Sequence, residues 1–137
     1  MKDQLTPEQR SALMARVKGR DTGPERLVRS MLHRMGYRFR LYRRDLPGSP
    51  DIVLPKHRKV VFVHGCFWHG HKRCKKASRP STRVEFWNKK IDENIRRDER
   101  ICKELKAAGW KVLVVWQCKT RKPDKLPQKL EKFLHDK

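Results

Sequence analysis

The chain has 137 residues, the length of one domain, and its 36% of hydrophobic residues suffices for one modest core. Its 36 Lys and Arg residues against 15 Asp and Glu residues give a formal net charge of +21. Such a charge is typical of proteins that bind a polyanion, so nucleic acid is the expected partner. No apolar run approaches a membrane span, and Met1–Arg10 has no apolar signal core. We therefore expect a cytoplasmic protein that is neither secreted nor membrane-bound.

Two helix starts open the chain. The hydroxyl of Thr6, with Pro next and Gln at the third helical position, predicts a first helix to about residue 18. Its apolar content is thin, so we assign 1–20 to an N-terminal helical arm and 21–137 to the folded domain. Thr22 and Glu25 form the same signature and begin a second helix with one apolar face.

The remaining pattern predicts an α/β fold. Alternating or continuous apolar runs predict four strands, at Tyr37–Tyr42, Asp51–Leu54, Lys59–Val63 and Lys111–Trp116. A long helix runs from Thr82 to about Ala108, and a final helix begins near Asp124. The order α, α, β, β, β, α, β, α favours a single domain with a central mixed sheet flanked by helices.

A metal cluster is predicted after the third strand. The segment His64–Cys74 holds three His and two Cys residues, and Cys118 follows the last strand. Structural zinc takes four such ligands. We therefore expect Zn²⁺ bound by Cys66, His71, Cys74 and Cys118. The alternative, cysteines in the core and histidines on the surface, fits their local density less well. Cys102, on the apolar stripe of the long helix, is interpreted as buried packing.

Two histidines and several carboxylates remain as candidates for chemistry. His64 and His69, beside the metal loop, suit acid–base catalysis. Asp51 opens an apolar strand, either as a turn residue or as a hard ligand for Mg²⁺. Asp98 lies on the inward stripe of the long helix, where it could form a salt bridge, orient a catalytic histidine or hold a metal-bound water. Glu25 is explained by its capping box alone.

Further candidates come from a strand end and from aromatic residues. The strand ending at Val63 and His64 is expected to pair with that of Asp51, so the Val63 carbonyl is a second candidate Mg²⁺ ligand. Phe67 and Trp68 stand between zinc-type ligands, where wedging between base pairs is favoured over core packing. For Phe86, which opens the long helix, core packing and a wedge are equally open.

Five segments together resemble the very short patch repair (Vsr) endonucleases. The most specific is Phe62–His69, which contains His-Gly-Cys-Phe-Trp-His; the others are Ser49–Asp51, Arg83–Trp87, Arg97–Asp98 and Gly109–Trp116. The resemblance runs from about residue 11 to residue 118. A restriction-type Glu-x-Lys is missing from the third strand, which fits this family and argues against an ordinary restriction mechanism.

The resemblance implies a fold similar to type II restriction endonucleases with an added structural zinc, so that 21–137 is an endonuclease domain. It implies an enzyme that nicks double-stranded DNA 5′ of the mismatched T in T:G mispairs left by deamination of 5-methylcytosine. Mismatch-repair proteins are then expected protein partners. Because cutting one strand needs one active site, we expect a monomer.

The resemblance also implies roles for single residues. Mg²⁺ is bound by Asp51 and the Val63 carbonyl, and His69 is the general base. Its catalytic neighbours are His64 and Asp98, with Glu25 assisting. The wedge that enters the major groove is Phe67, Trp68 and Trp87, and Met14 enters from the minor groove. The zinc positions are Cys66, His71, Cys74 and Cys118.

Two hypotheses compete with a mismatch endonuclease. A zinc-stabilised DNA-binding module without catalysis would explain the charge and the cysteines, but not carboxylates at Asp51 and Asp98 on apolar elements. A histidine–metal nuclease of another fold would cut matched and mismatched duplexes alike.

Overall fold

The structure, a computed structural model, describes residues 22–72, 74, 77–121 and 124–135. The predicted arm at 1–20, with Met14, lies outside these residues. The helices are α1 (Gly23–Arg34), α2 (Val84–Ala107), the short α3 (Gln117–Thr120) and α4 (Leu126–His135). The strands are β1 (Arg40–Leu41), β2 (Ile52–Leu54), β3 (Lys59–His64) and β4 (Lys111–Trp116), with a 3₁₀ turn at Pro55–His57. None of the described helices is both long and apolar enough to span a membrane.

The four strands form one mixed sheet in the order β1-β2-β3-β4. β1, β2 and β3 pair antiparallel, and β3 pairs parallel with β4 from Lys59 opposite Lys111 to His64 opposite Trp116. The mixed sheet predicted from the sequence is therefore confirmed. Because β3 and β4 are parallel, His64 and Trp116 end side by side at the same edge of the sheet.

Both faces of the sheet are covered, which explains why β2 and β3 are apolar along nearly their whole length. One face packs against α1 and α4 through buried residues such as Leu32, Val61 and Leu130. The other face packs against α2 through Val60 and Leu105 among others. The domain thus has three layers, with the sheet in the middle.

Two predicted boundaries are wrong. Only Arg40–Leu41 of the predicted strand at Tyr37–Tyr42 is a strand, because Tyr42 adopts a left-handed conformation (φ 51°) that stops the ladder. The long helix begins at Val84, after Arg83 in a left-handed conformation without a side-chain cap, so Thr82 is not its N-cap. By contrast, the capping box at the start of α1 is present as predicted.

Candidate active site and metal cluster

Two imidazole rings and a carboxylate meet at the end of β3. His64 is the last residue of β3, and His69 lies in the turn that follows it. The two rings are stacked, with centroids 3.9 Å apart and planes 5° from parallel. On the α2 side, Asp98 Oδ2 lies 2.6 Å from His69 Nδ1. The sequence predicted all three as functional residues, and the structure brings them together.

This contact determines which nitrogen of His69 is available for chemistry. A carboxylate accepts hydrogen bonds, so His69 Nδ1 keeps its proton and donates a hydrogen bond to Asp98. In the neutral ring, Nε2 is then left with its lone pair, the arrangement that a general base requires. Burial, and then the neighbouring charge of His69, lowers the pKa of His64 to about 4. His64 therefore presents a neutral ring to His69 near pH 7.

A half-buried carboxylate contacts the same end of β3. Asp51, directly before β2, accepts a hydrogen bond of 2.7 Å at Oδ2 from the backbone N–H of Val63. Burial, helped by the neighbouring Glu25, raises the pKa of Asp51 to about 7, against the opposing effects of the Val63 N–H and of Arg29. Asp51 is thus adjacent to the residue that precedes His64, and the structure supports a role beyond a turn.

Glu25 belongs to the same end of the molecule as Asp51. It is 3% exposed, and its Oε2 accepts from the Thr22 N–H at 2.8 Å and from the Tyr42 hydroxyl at 3.2 Å. The capping box alone therefore does not account for Glu25, because the same side chain accepts from Tyr42 and raises the pKa of Asp51. Tyr42 was not identified from the sequence as part of this site, because no sequence pattern indicates its left-handed backbone.

The predicted Cys/His cluster also assembles. The ligand atoms of Cys66, His71, Cys74 and Cys118 all lie within 4.8 Å of one another, and together they could hold a metal ion. Cys66 is fully buried, and its Sγ accepts a 3.4 Å hydrogen bond from the Cys118 N–H. Burial raises the pKa of the Cys66 thiol to about 12, so a bound cation would have to replace its proton.

Trp116 connects the Cys/His cluster to the imidazole pair. The His71 ring stacks on Trp116 with centroids 4.1 Å apart, and the His64 ring meets the same indole edge-on at 5.4 Å. Trp116 was interpreted from the sequence only as part of an apolar strand. Its contribution depends on the parallel pairing that places it beside His64.

Two further residues fix the loop that carries His69. Gly70 has φ +58°, and a Cβ there would lie 2.6 Å from a side-chain carbon of Ile95 on α2. Asn94 Nδ2 donates to the Trp68 carbonyl at 2.9 Å. Neither residue was singled out in the sequence, although a glycine between two histidines was a usable signal.

The predicted wedge residues form one aromatic cluster. Phe67, Trp68 and Trp87 meet with ring centroids 5.3–5.9 Å apart. Trp87 is 7% exposed, so it supports Phe67 and Trp68, which are only half-buried. Phe86 is 47% exposed and lies under the Arg83 guanidinium at 4.5 Å, so core packing of Phe86 is wrong.

For three other residues the structure differs from the sequence prediction or does not test it. Cys102 is half-buried rather than part of the inner core. The Val63 N–H, and not its carbonyl, makes the observed contact with Asp51, and metal binding by the carbonyl stays a prediction. Met14 lies outside the described residues.

Comparisons with known proteins agree with this geometry. Residues 2–76 match the family model described as DNA mismatch endonuclease Vsr. The chain is 51% identical over 134 residues to the type II nicking enzyme V.XorIIP of Xanthomonas oryzae pv. oryzae, covering 98% of each. It is 44% identical over 117 residues to the DNA mismatch endonuclease Vsr of Escherichia coli (strain K12), covering 85% of this chain and 74% of that one.

A solved structure has the same fold. The catalytic domain of the homing endonuclease I-Bth0305I superposes with a TM-score of 0.57 at 23% identity, covering 82% of this chain and 94% of that domain. At this identity the likeness is one of architecture. It agrees with the endonuclease-type α/β fold predicted from the sequence.

Proposed function

We propose that this chain, which belongs to the Vsr DNA mismatch endonuclease family, hydrolyses one phosphodiester bond in one strand of duplex DNA. The substrate would be a T:G mispair, cut on the 5′ side of the mismatched T. The observation that carries the proposal is the 2.6 Å contact between His69 and Asp98 at the end of β3, the strand whose Val63 N–H holds the half-buried Asp51. A module that only binds DNA needs neither a histidine with a fixed tautomer nor a carboxylate held by the same strand end.

His69 would act as the general base. Its Nε2 takes a proton from water as the water oxygen bonds to phosphorus, and the phosphorus–oxygen bond to the leaving group breaks. Asp98 holds Nδ1–H and stabilises the imidazolium that forms. His64, neutral because of its lowered pKa, holds the His69 ring plane by stacking without adding a competing charge. After cleavage, the proton on His69 returns to solvent or to the leaving oxygen.

Asp51 would hold Mg²⁺, together with the Val63 carbonyl. The donor set fits a hard cation, because two carboxylates, Asp51 and Glu25, lie close enough for Glu25 to raise the pKa of Asp51. A divalent ion relieves that repulsion. When bound, Mg²⁺ would supply charge neutralisation at the phosphoryl oxygens. The Val63 N–H holds Asp51 in place for this role.

Zn²⁺ would occupy the cluster of Cys66, His71, Cys74 and Cys118. A thiolate sulfur and an imidazole nitrogen at tetrahedral angles on zinc are separated by about 3.5 Å. The Cys118 Sγ and His71 Nδ1 atoms are 3.5 Å apart, and the Cys118 N–H to Cys66 contact favours a thiolate. The ion would tie the loop after β3 to α3, and we assign it a structural role.

The aromatic cluster would detect the mispair. Phe67 and Trp68 are half-buried on a base formed by Trp87, so they can enter a stack while Trp87 holds them. Unstacking a step costs a few kcal/mol and is cheapest at a mismatch. The proposal includes a monomeric enzyme, since one active site suffices for one strand.

The decisive experiment is strand-resolved cleavage. A duplex with one T:G mispair, labelled differently on each strand, is incubated with Mg²⁺, beside a matched duplex. We expect one nick, in the T strand only, and none in the matched duplex. Asp51→Asn should reduce nicking by at least about 10³-fold, whereas Asp45→Asn, at an exposed loop carboxylate, should not change it.

The alternatives predict other results. Equal binding of the T:G duplex with and without Mg²⁺, and no scission, would indicate a binding module. Comparable cutting of matched and mismatched duplexes would indicate a nuclease without mismatch preference. Either result would contradict the proposal.

A further inference from the structure

A basic cavity lies at the opposite end of β3 from the candidate active site. Its volume is about 480 Å³, within the range of small-ligand sites. Its polar walls come from Arg58, Lys59, Lys111, Tyr37, His57 and His135. None of the residues assigned to its lining, all of them in the described ranges, is acidic. β3 spans five residue steps from Lys59 to His64, about 16 Å, so an occupant would be separate from the scissile phosphate.

Arg58 is held in position before any ligand binds. It has a left-handed backbone (φ 51°) after the 3₁₀ turn, and its Nη2 donates to the Ala108 carbonyl at 2.8 Å. The guanidinium lies over the Trp110 ring at 5.0 Å. A Cβ on Gly109 would be 3.3 Å from Nη2, so the glycine leaves room for this placement. Since the guanidinium is already ordered, binding an anion costs it little further entropy.

Two lysines add charge to the same walls. Lys59 is 4% exposed, and its Nζ donates to the carbonyls of Phe133 at 2.6 Å and Leu134 at 2.8 Å, in the last turn of α4. The Lys111 N–H donates to the Arg58 carbonyl at 3.0 Å and fixes the start of β4 against Arg58. Three cationic side chains, Arg58, Lys59 and Lys111, therefore line one cavity. Low-dielectric walls strengthen the electrostatic field of these charges inside it.

We propose that this cavity binds a phosphate group. The planar guanidinium of Arg58 offers paired N–H donors, and Lys111 offers a point charge, which is the donor combination that phosphate recognition uses. Tyr37 and His57 meet edge-on at 5.4 Å beside it and provide ring surface for a base. The phosphate belongs either to a free nucleotide or to the backbone of DNA, whose strands carry one charge per ~3.4 Å.

The test is a titration of the isotope-labelled full chain followed by NMR. Inorganic phosphate, and then a mononucleotide, is added at constant ionic strength, and the amide signals of Arg58, Gly109 and Lys111 are recorded. We expect saturable shifts confined to the cavity. Lys111→Gln should weaken this binding by about tenfold, and Arg58→Lys should weaken it while retaining the charge. Lys132→Gln, at an exposed α4 position outside the cavity, should leave it unchanged.

A second arm distinguishes the two sources of phosphate. If a T:G duplex shifts the same signals, and Lys111→Gln lowers duplex affinity equally across sequences, the ligand is the DNA backbone. If the duplex leaves these signals in place and the nucleotide still binds to the complex, the ligand is the free nucleotide. Both results support the site. The absence of any saturable shift with phosphate, nucleotide and duplex would overturn it, as would equal binding by all three variants.

Discussion

The contact between Asp98 and His69 makes a quantitative prediction for the substitution Asp98→Asn. A hydrogen bond to a charged group contributes about 1.5–3 kcal/mol, and exposures of 22% for His69 and 19% for Asp98 place this one at the lower end. Loss of this hydrogen bond alone would slow the reaction about tenfold. The amide can also turn its NH₂ towards Nδ1, which favours the tautomer with its proton on Nε2 and removes the base. We expect a total loss of about 10²–10³-fold.

The assay is single-turnover nicking of a T:G duplex at saturating enzyme. Asp98→Asn should lower the rate of the chemical step and leave duplex affinity unchanged, because Asp98 contacts His69 and not the DNA in this proposal. The ring nitrogen signals of His69 should move to the other tautomer. Glu99→Gln, at the exposed neighbour on α2, is the matched control and should be silent.

A double variant guards against misinterpretation. If Asp98 acts only through His69, then Asp98→Asn combined with His69→Gln should be no slower than His69→Gln alone. Nicking by Asp98→Asn within about threefold of wild type, with the tautomer changed, would refute the assignment of His69 as the base.

Three further outcomes are expected. Because the pKa of Asp51 is raised to about 7 and Mg²⁺ competes with the proton, calorimetry should find Mg²⁺ affinity falling about tenfold from pH 8 to pH 6; a flat profile would contradict the ligand assignment. Cys118→Ser should lose bound zinc by elemental analysis and lower the Tm, whereas Cys102→Ser, outside the cluster, should keep its zinc. Urea unfolding should show Gly70→Ala costing about 2–4 kcal/mol, from its left-handed backbone and its clash. Gly36→Ala, with φ +86° and open space, should cost only about 1–2 kcal/mol; equal costs would exclude the clash.

Much of the fold was predictable because local and long-range signals agree in it. β3 is an apolar run that is buried along nearly its whole length, and β4 is a valine-rich run that is mostly half-buried. The capping box of Thr22 and Glu25 fixes the start of α1 within four residues of sequence. The strand predicted at Tyr37–Tyr42 is too long. Its apolar and basic residues do alternate, but only Arg40–Leu41 pairs with a neighbouring strand. Tyr37 and Phe39 still pack on the core without joining the ladder.

The residues of the candidate site were predictable, and the family resemblance also indicated that Asp98 is a neighbour of His69. The atoms that meet were not predictable, because His69 and Asp98 are 29 residues apart in the sequence. Which carboxylate reaches which imidazole depends on the packing of α2 on the sheet. The same packing buries Trp87, which the sequence placed with the exposed wedge. Periodicity gives the face of a helix, but not the neighbour that covers it.

The Cys/His cluster and the imidazole pair share one loop, so a metal ion bound by the cluster would affect catalysis without taking part in the reaction. Cys66 and His71 flank His69 closely in sequence, and His71 and His64 contact the same Trp116 indole from different sides. Any ligand that fixes Cys66 and His71 therefore also restricts where His69 can lie relative to Asp98. General-base efficiency falls steeply with small displacements of the base. In the proposed enzyme, the ion would add to the order that Gly70 and Asn94 already give this loop.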